Sequence, residues 1–180
     1  MRKEKVQFIL CIFIMSLVII PIYIILHESG HAVIALLCGA KNIRISIFPA
    51  YATWDNFEVT PFRISLMNIF GMLFPVIIFS MIIGIFFNKN KTSIPYLCCF
   101  FTISVITIFP ILAWIIVPIV GMVNELPSGD DVTNFIYNSG WHPGTVIVFA
   151  LVLFILALAI IVLKGLPKSV VLLIKEINDK

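Results

Sequence analysis

The chain has 180 residues, 61% of them hydrophobic and only 12% charged, with a formal net charge of +3. A soluble domain of this length cannot enclose so much apolar surface, so lipid must be the solvent for most of the molecule. The Lys and Arg residues flank the apolar runs as anchors to anionic lipid, and nothing in their arrangement is a nucleic-acid footprint.

The first helix is predicted over 6–38. Its uncharged run Phe8–Leu26 follows the basic segment Met1-Arg-Lys-Glu-Lys5 and offers no small-residue cleavage site before His27, so it reads as a retained span rather than a secretory signal. At 1.5 Å per residue the helix is about 50 Å long against a hydrocarbon core of about 30 Å, and Pro21 is the expected place for a bend. Near its end stands His27-Glu28-Ser29-Gly30-His31. Residues four apart stack on one helix face, so His27 and His31 can offer two imidazole nitrogens to one Zn²⁺, with Glu28 beside them to accept a proton from a water. Gly30 removes a side chain from the helix and admits a neighbouring backbone.

Over 41–62 the pattern changes. Ile43, Ile45 and Ile47 alternate with polar residues, which predicts a short strand. Phe48-Pro49-Ala50-Tyr51 reads as a turn and Phe57–Thr60 as a return strand, giving a small interfacial β-hairpin beside the histidines. Such a hairpin can link two spans or present an edge strand to an extended peptide. A second span is predicted over 64–87, where Asn68, Gly71, Pro75 and Gly84 indicate close helix contacts. After the basic turn Asn88–Lys91, a third span over 93–123 is interrupted by Pro110 and Pro118. The acidic loop 124–135 follows and is expected to cap a short helix. A fourth span over 143–163 leads into a basic amphipathic tail, 164–180.

The fold class is therefore an all-α polytopic membrane protein, one domain over 1–180, with four spans and a small interfacial hairpin between the first two. Cytoplasmic termini place nine Lys and Arg inside (Arg2, Lys3, Lys5, Lys89, Lys91, Lys164, Lys168, Lys175, Lys180) against three outside (Lys41, Arg44, Arg63). The positive-inside rule favours that orientation, in the cell membrane. Cys11, Cys38, Cys98 and Cys99 form no metal-ribbon or disulfide pattern and are expected to pack as small apolar groups.

A catalytic zinc needs three protein ligands and an open position. Four spans return the chain so that the acidic loop shares a membrane face with His27 and His31. Glu125, Asp130, Asp131 and His142 are the candidates for the third ligand. The adjacent pair Asp130-Asp131 allows one carboxylate to ligate while the other caps or orients.

These residues resemble the site-2 protease family of intramembrane zinc metalloproteases. His27, Glu28 and His31 match its His-Glu-x-x-His helix. Asn124, Pro127 and one of Asp130 or Asp131 match, in order and approximate spacing, its later Asn-x-x-Pro and Asp-Gly motif. The family's Gly after the Asp is absent, and alignment on Phe135 and Ile136 favours Asp131. Family members commonly keep the site nearer the cytoplasm, whereas the charge count here puts it near the outer face. The resemblance covers roughly Val6–Phe135. It implies one Zn²⁺ held by His27, His31 and an aspartate, Glu28 as general base, and a membrane protein or peptide as substrate. The same residues would serve a zinc hydrolase of lipids or small amides, or a zinc-binding protein without catalysis. They do not indicate an oligomeric state.

Overall fold

The computed structural model describes residues 2–88, 91 and 93–171, and its helices follow the apolar runs of the chain. The order is α1 (Arg2–Leu37), β1 (Lys41–Ile47), β2 (Ala50–Asp55), α2 (Pro61–Phe86), α3 (Ile94–Gly121), α4 (Asp131–Ser139) and α5 (Pro143–Leu163). Among the described residues, α1 from Val6, α2, α3 and α5 are long and apolar enough to cross a membrane. The expected architecture of four spans and a hairpin is present. The chain is helical again over 166–171, and the amphipathic tail beyond 171 lies outside the described residues, as do Lys89 and Asn90 of the basic turn.

Three expectations about the elements themselves need correction. The return strand is Ala50–Asp55, which starts directly after Phe48-Pro49, with Ile47 opposite Ala50 and Lys41 opposite Asp55. The segment 57–60 forms no ladder; it leads into α2, where the Thr60 hydroxyl accepts from the Arg63 N–H. Pro61 begins α2 three residues earlier than expected, because its missing N–H costs nothing in a first helical turn. Finally, α3 runs unbroken through Pro110 and Pro118. Lipid offers no water to an opened backbone, so the helix is retained around its prolines.

The hairpin is irregular near its base. Asn42 takes a positive φ of 53° within a register shift, and its side chain donates to Asp55 at 3.0 Å. Between α1 and β1 runs a groove of about 380 Å³ lined by Ser29, Ala32, Val33 and Leu36 of α1 and by Lys41 and Ile43. At about 100° per residue, that stripe of α1 faces away from the edge carrying His27 and His31. The strand expected beside the histidines thus lies behind the helix that bears them.

Two apolar clusters hold the spans together. Toward one end, Ile19, Phe79, Ile83, Phe100, Ile103 and Ile161 join α1, α2, α3 and α5. Toward the other, Met72, Ile111, Trp114, Val146 and Ala150 receive Val132, Phe135 and Ile136 from α4. Phe135 packs on Trp114 with ring centroids 5.1 Å apart. The short helix α4 is thereby pinned against α2 and α3, which fixes where its first residue points. Gly30 brings α1 and α2 together: a Cβ there would stand 2.2 Å from the Phe70 carbonyl oxygen.

Candidate metal centre

α1 carries His27 and His31 on one edge, and α4 begins at Asp131. The packing of both against α2 brings three side chains to one point. His27 Nε2 and His31 Nε2 are 3.2 Å apart. Asp131 Oδ2 stands 3.2 Å from the first and 3.3 Å from the second. The three atoms form a nearly equilateral triangle. Ligands of a tetrahedral divalent ion at about 2.0–2.1 Å stand about 3.3–3.4 Å from one another. The edges fit that requirement.

Electron-pair bookkeeping points the same way. His31 Nδ1 lies 2.9 Å from the Met67 carbonyl oxygen, which can only accept, so Nδ1 carries the proton. A neutral His31 then presents an unprotonated Nε2 to the triangle. Burial pushes the Asp131 carboxyl up, but hydrogen bonds and charge from the His27 and His31 imidazoles, where these carry protons toward it, hold it well below the usual carboxylate range, at about 2. Lone pairs facing one another at this range repel unless a cation or shared protons stand among them. The group His27, His31 and Asp131 can hold a metal ion. The side chains of His27, His31 and Asp131 are 26%, 12% and 25% exposed, a partly open centre rather than a sealed one.

The structure also sorts the alternatives for the third position. Asp130 is not part of the group. It is the N-cap of α4, where its carboxylate accepts from the Thr133 N–H at 2.9 Å and from the Thr133 hydroxyl at 2.8 Å. A capping residue keeps non-helical backbone and turns its side chain back along the first turn, away from the triangle. Glu125 is exposed in the loop. His142 is the N-cap of α5, its Nδ1 accepting from the Gly144 N–H at 3.1 Å. Glu28 lies next to His27, is 8% exposed, and is not in the group of possible ligands.

Two contributors come from α2. The Met67 carbonyl orients His31, a backbone role that no side-chain pattern announces. Gly71 forms one wall: a Cβ there would stand 2.5 Å from His31 Cε1, 2.6 Å from His31 Nε2 and 3.0 Å from Asp131 Oδ2. Its signal in the sequence, a glycine within an apolar span, indicated close packing without indicating the neighbour. Gly71→Ala is expected to keep the spans folded while lowering metal affinity about 10–100-fold, the range for residues that support ligands. Metal titration of the purified variant, beside a thermal melt, checks this. Unchanged affinity would mean that His31 has room to move.

No family model, curated protein or solved structure matches the chain.

Proposed function

We propose that this chain is a zinc-dependent intramembrane endopeptidase, similar in its chemistry to the site-2 proteases. The observation that carries the reading is the triangle of two imidazole nitrogens and one carboxylate oxygen with 3.2–3.3 Å edges, with a buried glutamate adjacent to it in sequence. Two histidines and a carboxylate with a position left open are a donor set of catalytic zinc. When bound, zinc supplies a Lewis acid that lowers the pKa of a water to about 7 and polarises a carbonyl.

The chain's own residues supply the rest. His27 and His31 would hold the ion through Nε2, and the Met67 carbonyl keeps the His31 ring in the required tautomer. Asp131 would supply Oδ2 and neutralise one positive charge. The Glu28 carboxylate accepts a proton from the attacking water and returns it to the leaving amine nitrogen. Peptide bonds in a helix are shielded by their own hydrogen bonds, so a membrane-spanning substrate must unwind locally before reaching the centre.

Purified protein in lipid nanodiscs is expected to contain one zinc per chain and to cleave a quenched-fluorescent peptide with an apolar span broken by Gly-Pro. Removal of zinc by 1,10-phenanthroline should stop cleavage, and added zinc should restore it. Iron in place of zinc, or cleavage indifferent to chelation, would overturn the reading. Hydrolysis of lipid esters or small amides without peptide cleavage would reassign the substrate.

The positive-inside count favours both termini in the cytoplasm and the centre near the opposite face of the cell membrane. Cysteine-labelling in intact cells tests the orientation on a background lacking the native cysteines. A cysteine at Lys91 should be shielded from an impermeant maleimide, and one at Ser128 should react. The reverse pattern would place the centre on the cytoplasmic side.

A further inference from the structure

The proposed reaction turns the scissile carbonyl oxygen into an anion, which needs a hydrogen-bond donor. The side chains at the centre are poor in donors. Asp131 and Glu28 only accept, and His31 spends its one N–H on Met67. Among the described residues the His27 Nδ1 and the Asn68 amide nitrogen on α2 are buried from solvent without hydrogen-bond partners. Arg63 is engaged by Glu58 at 2.9 Å.

Tyr23 is different. It lies one turn before His27 on the same edge of α1, with ring centroids 5.9 Å apart. It is only partly buried, and the charges of both Asp131 and Glu28 act on its hydroxyl. Among the described residues that hydroxyl makes no hydrogen bond. A phenol left unpaired in a membrane helix is costly, and its position at a reactive centre is a reason to keep it. We propose that Tyr23 is a catalytic residue whose O–H donates a hydrogen bond to the carbonyl oxygen of the substrate as it becomes an oxyanion. No proton is transferred and no bond is broken at Tyr23; the hydrogen bond strengthens as negative charge develops. The assignment rests on the peptidase reading above.

Tyr23→Phe removes one oxygen and keeps the ring against His27. Three probes are compared between wild type and variant, each as the full chain in nanodiscs. They are the quenched-fluorescent peptide, its phosphonamidate analogue with anionic tetrahedral oxygens, and the intact peptide bound to the Glu28→Gln background. The kcat is expected to fall about 10²–10³-fold with KM little changed. Phosphonamidate affinity should fall by a similar factor, while peptide binding on the Glu28→Gln background, zinc content and melting temperature stay as in wild type. Equal kcat and equal phosphonamidate affinity would overturn the role of Tyr23 alone. Loss of zinc would overturn it too, by making Tyr23 a support of the ligands. A wild-type chain that holds zinc but neither cleaves the peptide nor binds the phosphonamidate would overturn the peptidase reading, and this assignment with it.

Discussion

Glu28→Gln is expected to leave the protein folded and loaded with zinc while peptide hydrolysis falls about 10²–10⁴-fold. Glutamine has nearly the shape of glutamate, so the close packing around a side chain only 8% exposed is preserved. It removes the one property that the mechanism uses, the capacity to take a proton from water and give it to the amine. Since Glu28 stands outside the triangle of His27, His31 and Asp131, the metal has no reason to leave. Zinc analysis and the cleavage rate, measured on the same preparation, therefore separate a catalyst from a zinc-binding scaffold. Full activity in the variant would show that another group acts as base.

Asp131→Ala and Asp130→Ala should fail in opposite ways. Removing the Asp131 carboxylate leaves two imidazoles, and zinc affinity is expected to drop well beyond the 10–100-fold that loss of a supporting residue costs. Asp130→Ala should retain zinc. It deletes the oxygens that accept from the Thr133 N–H and hydroxyl, so about 0.5–2 kcal/mol of stability should be lost through the N-terminus of α4. A metal titration and a melting curve for each variant distinguish the two losses. Zinc loss in the Asp130 variant alone would reverse the assignment.

These two neighbours are equivalent in the sequence and distinct in the fold. Both are acidic, both precede the same apolar residues, and both stand where the chain enters α4. Their division into a cap and a member of the triangle follows from the residue at which α4 begins, and from Phe135 docking on Trp114. A side chain's direction at a helix terminus changes completely from one residue to the next. The return strand was misplaced for a related reason. The tight turn at Phe48-Pro49 and the first turn of α2 at Pro61 are both marked by proline, which carries no label for the element it serves.

The sequence by itself determined the four spans, the hairpin between the first two, and the placement of His27, Glu28 and His31 together. Each is a property of a short stretch of chain: lipid admits only long apolar helices, and helical pitch stacks residues four apart. Only the tertiary structure decided that Asp131 meets the two imidazoles, that Met67 orients one of them, that Gly71 makes room for both ligand types, and that β1 lies behind α1. The partners at the metal centre are separated by tens of residues, up to about a hundred, and even β1, which follows α1 directly, could have folded to either side of it. Their meeting depends on how separate helices settle against one another, a balance of many small packing contacts that no local pattern encodes.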